Sequence, residues 1–290
     1  MIGRRALLGG LGALAVPHPA GAATPRLASL DLALTEALLT LGVTPLAVAN
    51  LPLYRRLVGD PVLPEGVIEL GPQQEPNLEL LQALRPDRIL AADWQAGGLR
   101  RVSSSFSTSF LSVFAADGDA LAQAARLLRA VATLSGTDAE PIIAEATTGI
   151  ADAALSVQGL DDRPVLLFRL MEDARNMAVF GSRGMPGGVL ARLGLRNAWQ
   201  GRQNAAGVAS AGIEALASMP EARLIHFDRG AETARALSRL EVSRFWQALP
   251  ALRQGRIAAM PVIYPNGGLA SAGRLARQIA ARLPELARHG

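Results

Sequence analysis

The chain has 290 residues, half of them apolar and 19% charged, which excludes a disordered, collagen-like or small stapled chain and leaves room for one large or two modest domains. It contains no Cys, so disulfides, thiolate zinc sites, Cys nucleophiles and a lipid-modified N-terminal Cys are all excluded. Its net charge is +4 and its 29 basic residues are all Arg, but these are spread along the chain rather than gathered into a patch, so nucleic acid is not an expected partner.

In chain order, residues 1–22 carry Arg4-Arg5, an apolar stretch from Ala6 to Val16, and the small triplet Ala20-Gly21-Ala22. These are the parts of an export signal, the apolar stretch being too short to span a bilayer, and the adjacent Arg pair is twin-arginine-like. Residues 26–30 then read as a strand, and Asp31 as the cap of a helix with Leu34, Ala37, Leu38 and Leu41 at helical spacing, closed by Gly42. Further strands are expected at 45–49, 67–70 and 88–92, with a helix at 77–84 that stops at Arg85-Pro86. Strands alternating with helices define an α/β protein with parallel pairing. Helical patterns at 119–134 and 140–157 follow, the second read as a long connection over 137–160.

Residues 77–93 can be laid without a gap over 212–228, so that Glu79 meets Glu214, Leu81 meets Leu216, Arg88 meets Arg223 and Asp93 meets Asp228. The economical reading is two α/β lobes of like build. The expected organisation is an export signal at 1–22, an N-terminal lobe at 23–136, a connecting helix at 137–160 and a C-terminal lobe at 161–290.

In open α/β sheets ligands sit beyond the carboxyl ends of strands. The segments there include 50–56, 71–75, 93–98, 169–176, 197–207, 228–230 and 263–268, and hold both Tyr, two of three Trp and several amides. Rings and amides suit a ligand held by hydrogen bonds and flat contact. The turn Gly181-Ser-Arg-Gly184-Met-Pro-Gly187 lacks the Gly-Lys-Ser/Thr ending of a phosphate loop. Ser210 misses the nucleophile pattern by one position. Of three His, at 18, 226 and 289, His226 lies in an expected core strand, so a protein-only metal centre is not expected. Asp93 and Asp228 end strands, which suits either acid-base work or turn capping.

The strings Leu41-Gly-Val-Thr-Pro-Leu-Ala-Val, Tyr54-Arg55, Pro64-x-x-Val67-Ile68-x-x-Gly71, Glu75-Pro-Asn-Leu-Glu-Leu-Leu81, Val179-Phe-Gly181, Asn197-Ala-Trp-Gln-Gly201 and Phe245-Trp-Gln-Ala-Leu-Pro250 run through the whole chain after the signal. Together they closely resemble the periplasmic binding proteins of ferric hydroxamate siderophore importers. The resemblance implies a class III periplasmic binding fold, two α/β lobes joined by a long helix with a shallow cleft between them. It also implies a soluble periplasmic monomer that is not an enzyme, has no resident cofactor, and hands an iron(III) chelate to an inner-membrane ABC permease. The broader class includes haem and cobalamin binders; a periplasmic α/β enzyme using Asp93, Asp228 or His226 and a sensor that has lost transport are the alternatives.

Within the resemblance, the position of a hydroxamate-contacting Arg holds Gln73, the nearest ring to a cleft Tyr is Trp94, an expected Trp falls at Ala206, and the last aromatic cluster reduces to Tyr264, Pro265 and Asn266. The expected ligand contacts are therefore Tyr54, Gln73, Trp94, Asn204 and Tyr264, facing one another across the lobes. Glu79 and Glu214, or their neighbours Glu75 and Glu241, are the acidic pair that the resemblance assigns to permease docking.

Overall fold

In the computed structural model, residues 25–100, 104–116 and 118–288 are described. The export segment, His18 and His289 lie outside them.

Ten strands form two five-stranded sheets. The first contains β1 (Leu27–Ser29), β2 (Ala47–Val48), β3 (Ile68–Glu69), β4 (Arg88–Ala92) and β5 (Thr108–Leu111), all parallel, in the order β3-β2-β1-β4-β5. The second contains β6 (Val165–Leu170), β7 (Asn176–Phe180), β8 (Val208–Gly212), β9 (Arg223–Asp228) and β10 (Ile257–Pro261), in the order β10-β9-β6-β7-β8. In both, the first strand is central, flanked by the second and the fourth, so the two sheets share one topology.

They differ at one strand: β7 runs antiparallel to β6 and β8. The cause is the length of the connection. Between β1 and β2 the chain fits the helix Leu32–Thr40, which a parallel crossover needs. Between β6 and β7 it has only a tight turn, in which Asp173 Oδ1 accepts the backbone N–H of Arg175 and of Asn176, both at 2.9 Å. The sequence repeat maps onto this topology, since β4 and β9 are the fourth strands of their sheets. The helices before them diverge: Asn77 Oδ1 caps Leu78–Leu84 at Leu80 N, whereas Ile213–Ser218 has no side-chain cap and stays 3-10.

Helices tie the two cores together. The connecting helix Glu140–Ser156, with Pro141 in its first turn, packs Ile142, Ile143 and Ala146 against the first-lobe core and Ile150 and Ala153 into the second. The helix Ala120–Ser135 contributes Leu121 to the second core and Leu127, Leu128 and Val131 to the first. The C-terminal helix Leu269–Arg288 begins with Leu269 in the first core and ends with Ile279, Leu283 and Leu286 in the second. Burying each such side chain is worth about 1.5–3 kcal/mol, so hinge motion that separated either end would be opposed by several of them.

The C-terminal helix is anchored by a carboxylate from the opposite lobe. Fully buried Glu36, on the helix Leu32–Thr40, accepts the Ser271 backbone N–H at Oε1 (2.8 Å) and the Ser271 hydroxyl at Oε2 (2.9 Å). Burial raises the Glu36 pKa; the Ser271 donors, the Gly268 N–H and the Arg274 charge act the other way. A helix N-terminus favours such an anion. Gly267 makes room for it, because a Cβ there would lie 2.4 Å from Ser271 Oγ and 2.8 Å from Glu36 Oε2. One turn on, Arg274 donates to the carbonyls of Val58 (2.6 Å) and Asp60 (3.2 Å) in the first lobe. Glu36→Ala leaves two buried donors unmet and is expected to lower unfolding free energy by about 2–4 kcal/mol, against about 1 kcal/mol for Ser271→Ala. Urea unfolding at pH 7 checks this, and equal small losses for both variants would contradict it.

Candidate ligand cleft

The first-lobe wall of the cleft is organised by Asp31, which follows β1 and caps the next helix. Its Oδ1 accepts the Ala33 N–H at 2.8 Å, and its Oδ2 accepts Gln73 Nε2 at 3.2 Å and Trp94 Nε1 at 3.3 Å. Gln95, buried beneath, accepts the Ala92 N–H and donates to the carbonyls of Leu30 and Gln73. Three loops that follow three different strands are thereby locked together. Trp94 still leaves 42% of its surface exposed while its ring nitrogen is held by Asp31.

Tyr264 reaches this wall from the second lobe. Half-buried, it packs on the cluster of Leu32, Val48, Tyr54, Val58 and Leu63. Burial, then the Asp31 and Glu36 charges, raise its pKa, while the Asn266 side chain opposes them. The phenol therefore stays protonated and can donate.

Two of the five expected contacts do other work. Tyr54 is fully buried and its hydroxyl donates to the Pro61 carbonyl at 2.8 Å, so it does not face the cleft. Asn204 is exposed, but its Oδ1 accepts the N–H groups of Ala206 and Val208 and shapes their loop. That loop places Ala205 and Ala206 in a crevice also lined by Ala33 and Phe114 from the first lobe and Arg183 and Pro265 from the second. The glycine-rich turn beside it is built for close packing. A Cβ at Gly207, where φ is +73°, would sit 2.0 Å from Gly184 N.

The structure thus gathers Gln73, Trp94 and Tyr264 about Asp31. Asp31 as a ligand-wall organiser and Gln95 as its support were not legible as site residues; the only sequence signal for the first was its capping position.

The groups considered for acid-base chemistry do not meet. Asp93 accepts the Trp94 N–H and Asp228 the Gly230 N–H, both at 2.8 Å, each capping its own turn. His226 is buried edge-on to Phe168, its pKa lowered by burial. Among the described residues no group of three or more His, Asp or Glu side chains converges, and no helix is long and apolar enough to cross a membrane. Glu79 and Glu214 are exposed in the first turns of Leu78–Leu84 and Ile213–Ser218, and Glu75 and Glu241 are exposed as well.

Two like-built lobes, a cleft between their strand ends and helices spanning both cores define a two-lobed substrate-binding protein of the class III type. The chain belongs to the Periplasmic binding protein family, whose pattern it matches over residues 27–264. It is 32% identical over 269 residues to the Iron(3+)-hydroxamate-binding protein FhuD of Escherichia coli (strain K12), covering 90% of this chain and 87% of that protein. The structure of the siderophore binding protein FhuD from Vibrio cholerae, bound to Fe3+-Desferal, superimposes with a TM-score of 0.83 at 26% identity, over 91% of this chain and 100% of that one. The triscatecholate siderophore binding protein FeuA from Bacillus subtilis, complexed with Ferri-Bacillibactin, shares the fold at a TM-score of 0.73 and 17% identity, over 95% of this chain and 98% of that one.

Burial, with a smaller push from the Asp93 charge, raises the Asp31 pKa from 3.8 to about 6, while the Ala33, Trp94 and Leu34 donors pull it down. Above about pH 6 the Trp94 indole N–H meets a carboxylate, and below it a neutral acid. Trp94 emission, isolated by difference against Trp94→Phe, is expected to titrate with a midpoint near pH 6, and Asp31→Asn to remove the transition. Because the folded pKa lies above the unfolded one, the stability from this group is fully present below about pH 4 and lost as pH rises through about 6. A flat emission profile between pH 4 and 8 would contradict this assignment.

Proposed function

We propose that the chain is the soluble, periplasmic substrate-capturing component of an ABC importer for iron(III)-siderophore chelates. The observation that carries this reading is similarity over 90% of the chain to a protein named for iron(3+)-hydroxamate binding, joined to a cleft whose first-lobe wall presents an anchored, part-exposed Trp94. Residues 1–22 serve as the export signal, of twin-arginine type, and the working form is a monomer with no cofactor of its own.

The ligand arrives as a preformed chelate. Its organic shell meets the Trp94 face, the Tyr264 hydroxyl and the rim held by Gln73, while the loop shaped by Asn204 closes the second-lobe side. With Gln73 already donating to Asp31, its remaining amide capacity serves the ligand only at the margin. Helices shared by both cores favour capture with little lobe closure. Exposed Glu79 and Glu214, at equivalent places in the two repeats, are the proposed docking pair for Arg residues of the permease.

Titration of tryptophan fluorescence with ferric desferrioxamine B, ferrichrome, a ferric triscatecholate, haem and cobalamin tests the reading. Saturable binding of an iron chelate without turnover is expected, and no response to any of the five would overturn it. Trp94→Ala should weaken binding about 5- to 150-fold, equivalent to about 1–3 kcal/mol, whereas Tyr54→Phe should leave affinity unchanged. Charge reversal of Glu79 and Glu214 together should abolish uptake in cells while purified protein still binds ligand; retained uptake would remove this pair from the docking surface.

A further inference from the structure

The second-lobe wall carries a group of charges that the reading above does not use. Along β6, Val165 and Leu167 point into the core beneath the C-terminal helix; along β9, Ile225 and Phe227 do the same. Strand alternation puts Arg169 and Arg229 next on that face, at the carboxyl ends of adjacent strands. From the first lobe, Arg56 reaches across to Glu232, with its Nη1 2.9 Å from Oε1, while Arg229 Nη1 lies 2.7 Å from Oε2 of the same carboxylate.

The charges there do not balance. Glu232 is shared by Arg56 and Arg229, leaving Arg169 with only a long contact to Met171 Sδ at 3.9 Å. The Nε atoms of Arg169 and Arg229 are buried without a hydrogen-bond partner. Nearby acids are committed elsewhere: Asp228 Oδ1 to the Gly230 N–H and Glu172 to Arg235. Burial and then the Arg229 and Arg56 charges lower the Arg169 pKa, with Glu232 opposing, so these groups sense one another. Buried donors and uncompensated like charges are costly unless an anion completes them. Beside Arg169 in the sheet stand Ala178 and then Ser210, both small side chains.

We infer that Arg169, Arg229 and Arg56 form an anion-recognising subsite on the second-lobe wall, which selects ferric chelates bearing a peripheral carboxylate over those that are neutral or cationic there. This rests on the reading that the cleft takes ferric chelates. A planar guanidinium pairs with a carboxylate through two parallel hydrogen bonds, and Arg169 keeps one unpartnered donor, Nε, and one held only by a thioether sulfur, Nη2, on the same edge of its fork.

The test holds the iron centre constant and changes only the periphery. Ferric desferrioxamine B carries a terminal ammonium; its N-succinyl derivative carries a carboxylate on the same trishydroxamate. In the native protein the succinyl chelate should bind at least about tenfold more tightly. In Arg169→Gln and in Arg229→Gln that ratio should fall towards one, and Arg169→Lys should keep part of it. Thermal unfolding establishes that each variant folds, and if Arg169→Gln does not, the native ratio and Arg229→Gln decide. Equal affinity for the two chelates in the native protein, or a ratio undiminished in the folded variants, would overturn the subsite while leaving iron-chelate binding intact. Failure of both chelates to bind would overturn the subsite, and the iron-chelate reading falls with it only if the remaining chelates of the panel fail as well.

Discussion

The whole arrangement depends on one carboxylate being buried at the start of a helix from the opposite lobe. Glu36 has no access to solvent, and its partner Ser271 lies 235 positions away. A carboxyl group is tolerable in that position because both of its oxygens are hydrogen-bonded to Ser271, the helix N-terminus supplies positive potential and Arg274 stands one turn on. The contact fixes where the C-terminal helix begins. That helix then carries Tyr264 and the 265–268 loop against the first lobe at one end and fills the second core at the other. Cleft geometry is therefore set by a buried structural contact rather than by the ligand.

The two walls this frame presents are chemically unlike. The first centres on a buried acid, Asp31, whose hydrogen bonds hold Gln73 and Trp94 in place and leave a ring and a phenol to meet the ligand. The second carries excess guanidinium charge. Flat contact on one side and charge recognition on the other would fix both the body of a chelate and its orientation.

Much of the fold was legible because it rests on local signals: Asp31 as a cap, Gly42 and Arg85-Pro86 as helix stops, and alternation of strands with helices. The repeat exposed a common topology, yet residues aligned by it do different things. Arg88 donates to Ser109 at a half-buried edge, whereas Arg223 is fully buried and paired with Asp161. The cleft was only partly legible. Tyr54 follows a strand, as a ligand residue would, but the π-helical turn Tyr54–Val58 swings its ring into the core. The roles of Asp31, Glu36 and Arg169 depend on partners tens to hundreds of positions distant, which no spacing rule encodes. The reversal of β7 came from a turn too short for a crossover helix.

The most direct measurement is a crystal structure of the protein with a ferric chelate carrying a peripheral carboxylate. The account places the iron centre between Trp94 and Tyr264, the carboxylate on Arg169, and the lobes unchanged with the Glu36–Ser271 bonds intact. A chelate bound away from both walls, or lobes rotated together with Glu36 released from Ser271, would contradict it.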